Sequence, residues 1–172
     1  SWGSKATLLG ILEDPDGCAH AIYKPRRGEQ PLWDFPSGTL CNREVAAYAV
    51  AEALGWHLVP PTALRRGPYG RGMVQLYVAH DPDVHFLALD RPDPTVVARL
   101  VAFDQVINNA DRKSGHVLQD PTGRLWAIDH GVAFHVEPKL RTVIWSLAGR
   151  PLPRDVADGL ERLLVALAEP GG

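Results

Sequence analysis

The run Asn109-Ala110-Asp111-Arg112-Lys113-Ser114-Gly115-His116, followed closely by Ile128-Asp129-His130-Gly131, holds the residues best suited to chemistry. An Asp-Arg pair on a turn, a polar side chain five positions after that Asp, a short hairpin and then Asp-x-Gly can set a proton acceptor beside metal ligands. Phosphoryl transfer asks mainly for positioned groups, a cation on the phosphates and one or two ions bridging phosphate oxygens. Asp111 is the expected carboxylate at the acceptor, Asp129 the metal-holding one and Lys24 the cation. Glu44 is placed to pair with Lys24 and fix its direction, which orders a site more than it stabilises a fold.

The elements that must carry these residues can be read from turn chemistry and apolar spacing. Residues 6–13 and 18–24 are β-compatible runs around Asp14-Pro15-Asp16-Gly17, a hairpin signal that leaves Lys24 at a strand end. Residues 42–54 read as a helix stopped by Gly55, with Val45, Tyr48, Ala49 and Ala53 on one stripe and Glu44 near its first turn. A proline-bounded connection over 58–62 and the Gly67-Pro68-Tyr69-Gly70 turn precede a strand over 73–79. Asp93-Pro94 opens a helix whose Val96, Val97, Leu100, Val101 and Ile107 face a core. Residues 117–119 and 125–129 flank the Asp120-Pro121-Thr122-Gly123 turn, a hairpin that would bring His116 and Asp129 within reach of one cation. Residues 153–168, with Val156, Leu160, Leu163, Leu164 and Leu167, form an amphipathic helix. With no repeated βαβ unit, the order indicates an α+β domain in two lobes.

At 172 residues, 45% apolar and 22% charged, the chain can bury one core but not two ordinary ones. A net charge of -2 and a pI near 6.4 argue against nucleic acid or an anionic membrane as partner, with Lys24-Pro25-Arg26-Arg27 as one local basic patch. Cys18 and Cys41 without a CxxC pair, and no secretory or transit-type segment, place the expected setting in a reducing cytoplasm. The longest apolar runs fall short of the roughly 20 residues a spanning helix needs, so stable membrane insertion is not expected. The sequence opens at Ser1 rather than Met, inside what reads as an element, so its ends are expected to be trimmed.

Two longer strings carry a family resemblance. Phe103-Asp104-Gln105-Val106-Ile107-Asn108-Asn109-Ala110-Asp111-Arg112, then Trp126-Ala127-Ile128-Asp129-His130-Gly131-Val132-Ala133-Phe134, resembles the catalytic and metal-binding segments of phosphatidylinositol 3- and 4-kinases. The likeness is strongest to the type II phosphatidylinositol 4-kinases, whose helix and following connection are similar to residues 44–54 and Gly55-Trp56-His57-Leu58-Val59-Pro60-Pro61-Thr62. Tyr23-Lys24-Pro25 and Pro31-Leu32-Trp33-Asp34-Phe35-Pro36 resemble a compact actinobacterial branch distantly related to those kinases. The resemblance implies a two-lobed protein-kinase-like fold with a reduced C-terminal lobe, as one domain over 1–172 with N-terminal lobe and hinge to about 79. It implies ATP with Mg²⁺ or Mn²⁺, Asp111 as catalytic residue, Asp129 as metal ligand and Lys24 on the phosphates. It further implies a phosphate loop at Ser4 with Gly3 and Lys5, and a hinge at Gln75, Leu76, Tyr77 and Val78 whose backbone bonds adenine. Where those kinases usually carry Asn as second ligand this chain has His116, a donor better suited to Mn²⁺ than to Mg²⁺, with Asn109 or water as substitute. The acceptor is an unspecified hydroxyl on a protein, lipid headgroup or small molecule.

Plainer roles remain for many of these residues. Asp14 and Asp120 are turn residues and Asp93 a helix cap. The other histidines lack HxH or HExxH spacing, so zinc is not expected, and Trp33, Trp56, Trp126 and Trp145 are assigned to core or lobe-interface packing. Two rivals stand beside the kinase reading: a nucleotide-binding pseudokinase acting as switch or scaffold, and a metal-dependent phosphohydrolase built on Asp104, His116 and Asp129.

Overall fold

The computed structural model describes residues 7–168 and is an α+β protein with a four-stranded sheet, a two-stranded hairpin and three α-helices among those residues. Strands β1 (Leu8–Asp14), β2 (Gly17–Pro25), β3 (Thr62–Gly67) and β4 (Gly70–Leu76) form an antiparallel sheet in the order β1-β2-β4-β3. The strand over 62–67 was not expected from the sequence, where Arg65, Arg66 and Gly67 lack β-branched character; pairing with β4 makes it a strand. That pairing also moves β4 back to Gly70–Leu76 from the expected 73–79.

Helix α1 (Leu40–Ala53) follows β2 and precedes β3 in the chain, and packs against β3 and β4. Its N-terminal N–H groups are met by a distant carboxylate: Glu29 accepts from Leu40 N (3.2 Å) and Cys41 N (2.9 Å). Its C-terminus closes with Gly55 at φ +69°, Gly55 N on Glu52 O and Trp56 N on Ala51 O, a Schellman arrangement that only a residue without Cβ enters at no steric cost. The buried stripe is Cys41, Glu44, Ala47 and Ala51, about one position round from the expected Val45, Tyr48, Ala49 and Ala53. A helix covered on one side by the sheet and on another by α3 has no single apolar face, so periodicity misplaced it.

Helix α2 (Pro94–Val106) starts as its sequence predicts, with Asp93 Oδ1 accepting from Thr95 N at 2.8 Å and Pro94 in the first turn. Leu100, Phe103 and Ile107 enter the main core with Leu54, Trp56, Val59, Val117, Ala127 and Val156. Burying a side chain such as Phe103 contributes about 1.5–3 kcal/mol relative to leaving it in water. Hairpin strands β5 (Val117–Gln119) and β6 (Leu125–Ala127) turn through Asp120, whose Oδ1 accepts from Thr122 N and Arg124 N. Helix α3 (Arg154–Ala168) buries Val156, Gly159 and Leu163, while Leu164 and Leu167 are exposed, against expectation. Trp33 and Trp145 are also exposed rather than packed; Trp56 is buried, and Trp126 is half-buried with its Nε1 on Asp120 Oδ2. No helix among the described residues is long and apolar enough to cross a membrane.

Candidate active site

Lys24 is the next-to-last residue of β2, α1 presents Glu44 one turn in, and the segment after β6 supplies Asp129. Lys24 Nζ lies 2.8 Å from Glu44 Oε1 and 2.9 Å from Asp129 Oδ1. Burial works to lower the Lys24 pKa, but the two carboxylates outweigh it and hold the ammonium above the usual lysine range. Glu44 is 3% exposed, and burial raises its pKa against the opposing pull of Lys24. Its second oxygen accepts from His130 N at 2.8 Å, which fixes the backbone beside Asp129. Asp129 itself sits at φ +62°, a left-handed conformation that Asp tolerates better than most side chains and that ends the strand pairing there.

His116 closes the other side. Ile128 N donates to His116 O at 3.0 Å, extending the hairpin by one pair, so the imidazole reaches Asp129 with Nε2 3.2 Å from Oδ2. Nδ1 of the same ring lies 2.9 Å from the Asp111 carbonyl. Burial lowers the His116 pKa, partly countered by Asp129. The expectation that the hairpin gathers His116 and Asp129 is therefore met in geometry.

A buried cation holds this hairpin base. Arg112, 1% exposed, bonds Asp104 through Nε (2.9 Å) and Nη2 (2.8 Å). Its Nη1 donates to His116 O (3.0 Å) and Ile128 O (3.2 Å), clamping both chains just where the candidate ligands emerge. Nη2 also meets His130 Nε2 at 2.8 Å; burial, with Arg112 adjacent, keeps that imidazole neutral, its pKa well below the usual value. An Asp on the otherwise apolar face of α2 is the sequence signal for such a partner, since a buried carboxylate requires one.

Asn109 departs from its expected role as a substitute ligand. It is fully buried, its Nδ2 donates to Asp104 Oδ1 (2.9 Å) and its Oδ1 accepts from Asp111 N (3.0 Å), so the amide shapes the loop instead of facing a cation. Asp104 is likewise enclosed by Arg112 and Asn109, so the structure does not bring together the Asp104, His116 and Asp129 set of the phosphohydrolase reading.

Lys24, Glu44, Asp111 and Asp129 line one cavity of about 460 Å³, within the range of small-ligand sites. Its remaining wall is largely apolar, with Ile22, Leu40, Leu118, Ile128 and Val132. Gln75, Leu76, Tyr77 and Val78, the expected hinge, all line it. Gln75 is buried in β4 with its side chain on Thr62 Oγ1, Leu76 N donates to Pro61 O and Tyr77 N to His20 O. These bonds occupy the Leu76 and Tyr77 N–H groups, and the Val78 carbonyl lies 2.8 Å from His80 Nδ1. Ser4, with Gly3 and Lys5, lies outside the described residues.

Two side chains at the site were not foreseen. Lys113 Nζ lies 2.8 Å from Asp111 Oδ2, and Glu29 lines the cavity while capping α1. Lys113 was legible as a cation two residues from the key Asp; Glu29, eleven residues from the helix it caps, was not. Among the described residues no group of three or more His, Cys, Asp or Glu side chains could hold a metal by itself. One carboxylate and one imidazole fit an ion whose other ligands are phosphate oxygens and water, as nucleotide-borne ions are held.

No family model matches the chain. It is 40% identical over 186 aligned residues, covering 88% of this chain and 67% of the relative, to Protein Rv2133c of Mycobacterium tuberculosis (strain ATCC 25618 / H37Rv). At that identity and coverage the chain belongs to the family of Protein Rv2133c.

Proposed function

We propose that this protein is an ATP-dependent phosphotransferase of the phosphatidylinositol 3-/4-kinase-like type, one domain in two lobes meeting near residue 79, acting on a hydroxyl-bearing acceptor. The observation that carries the reading is the meeting of Lys24, Glu44 and Asp129, from three separated stretches of chain, on the wall of a cavity that also holds Asp111. The adenine would occupy the apolar slot between Ile22 and Leu118 with Val78 at its edge, and the triphosphate would run toward Lys24. The free thiols Cys18 and Cys41 suit the reducing cytoplasm expected for it.

Asp111 would orient the acceptor hydroxyl and take its proton as the oxygen attacks the γ-phosphorus, while the bond to the ADP oxygen breaks. Lys24 and Lys113 would neutralise charge on the phosphate oxygens, and Glu44 would keep the Lys24 ammonium aimed. A divalent ion held by Asp129 and His116 would screen the same oxygens when bound. The test is titration with a non-hydrolysable ATP analogue beside an ADP-release assay over a panel of acceptors. Asp111→Ala should abolish transfer and leave analogue binding largely intact; an active Asp111→Ala protein would refute the assignment.

The Lys113–Asp111 pair favours a second reading, a nucleotide-binding pseudokinase acting as switch or scaffold. The ammonium occupies the Asp111 Oδ2 oxygen that an acceptor hydroxyl would need to reach. That reading expects analogue binding without ADP release, and Lys113→Ala leaves it so.

A further inference from the structure

A second cavity, of about 200 Å³, adjoins the first, and Glu29, Gln30, Leu32 and Leu40 belong to the walls of both. Arg26 lines this smaller cavity and not the larger one, although it follows Lys24 by only two residues. Its guanidinium lies directly over Gly38, where a Cβ would collide with Nε, Nη2 and Cζ. Gly38, at φ +75°, thereby makes room for the cation. Among the described residues the Arg26 side chain has no hydrogen-bond or ion-pair partner. Glu29 shares the cavity, but its two oxygens are spent on Leu40 N and Cys41 N.

Pro31, Phe35 and Pro36 make the rest of the wall apolar, with the Ser37 hydroxyl as a further polar group. The loop that carries them is irregular yet tied at several points. Leu32 bridges to Phe35, Thr39 Oγ1 donates to Pro36 O at 2.7 Å, and Asp34 takes Lys139 Nζ on Oδ2 at 2.7 Å and His135 Nε2 on its carbonyl at 3.0 Å. A cavity pinned in advance binds a ligand without the entropy loss of ordering its walls. A guanidinium takes a carboxylate or phosphate through two parallel N–H···O bonds, and nearby apolar walls strengthen that attraction by excluding water.

Resting on the phosphotransferase reading above, we propose that the acceptor is a small hydroxyl-bearing anion whose carboxylate or phosphate docks on Arg26 in the smaller cavity, while its hydroxyl reaches past the shared residues toward Asp111. Neutral alcohols leave the guanidinium unpaired, so Arg26 sets the preference for a charged acceptor. The nucleotide does not depend on it, because Lys24 and not Arg26 lines the larger cavity.

The test titrates the isotope-labelled whole chain, free and loaded with the non-hydrolysable ATP analogue AMP-PNP and MgCl₂, with 4-hydroxybutyl phosphate, 5-hydroxypentanoate and neutral 1,5-pentanediol. In nuclear magnetic resonance spectra an anion should shift the Gly38 amide and the Arg26 Nε–H signals where the diol does not, and the phosphate and carboxylate arms separate the two anions. Arg26→Gln should weaken anion binding about tenfold or more, with AMP-PNP affinity by calorimetry held within about twofold. With ATP in place of the analogue, the bound anion should stimulate ADP release. Anions that shift these signals no more than the diol, or that bind Arg26→Gln equally well, overturn this inference alone. Failure of AMP-PNP to bind, or anion binding at Arg26 without ADP release from ATP, overturns the phosphotransferase reading and the acceptor role together.

Discussion

Lys24→Met is the most revealing single change. It strips the ammonium from Glu44, a 3% exposed carboxylate, and from the more exposed Asp129. Removing one partner of a buried pair costs roughly 3–5 kcal/mol. Lys24 keeps 27% of its side chain in solvent and Glu44 retains its bond from His130 N, so the lower end applies, about 2–3 kcal/mol. In a domain of this size that is a fall in Tm of roughly 4–12 °C. The loss also carries a pH signature. Burial already raises the Glu44 pKa, so over a window beginning at the unfolded value of about 4.3 the folded state holds a proton the unfolded state has shed, and stability falls as pH rises. Lys24 opposes that shift, so Lys24→Met widens the window and its deficit should be larger at about pH 8 than at about pH 5. Adding Glu44→Gln to Lys24→Met should recover part of the loss, because the uncompensated charge is gone. Urea unfolding followed by tryptophan fluorescence at both pH values measures all four proteins. Equal deficits at the two pH values, or strictly additive single changes, would refute the claim that a buried carboxylate depends on Lys24.

Three further outcomes follow from the packing. Arg112→Lys cannot reproduce the fork onto Asp104, His116 O, Ile128 O and His130, so it should cost more than about 3 kcal/mol in urea unfolding and separate His116 from Asp129, seen as lost AMP-PNP binding. Gly159→Ala would improve helix propensity by about 1 kcal/mol, yet its Cβ would collide with Trp56 Nε1, so a net loss of about 1–2 kcal/mol is expected and Trp56→Phe should relieve it. Burial and the nearby Glu29 push the Cys41 thiol up to about 12, so a disulfide exchange reagent near neutral pH should modify exposed Cys18 at once and Cys41 only on unfolding; rapid modification of two thiols in the native protein would contradict the packing.

Sequence order alone determined the features that depend on neighbours. The Asp93-Pro94 helix start, the Asp120 turn and the Gly55 stop are fixed by side chains and φ preferences within a few residues, and each is where the sequence places it. The pairing of Lys24 with Glu44 was also legible, because a strand-end lysine and a first-turn glutamate were joined by a resemblance as well as by spacing. Long-range competition for hydrogen bonds decided the rest. Whether residues 62–67 form a strand depends on β4 being beside them, and whether Asn109 can bind a metal depends on Asp104 and the Asp111 amide claiming it first. Likewise the Leu76 and Tyr77 N–H groups are taken by Pro61 and His20, and His116 faces Asp129 where Arg112, hidden in the core, ties the two ends of a hairpin together. A sequence records which groups can bond; the folded chain decides which partner reaches each group first, because every donor spent internally is withdrawn from the site.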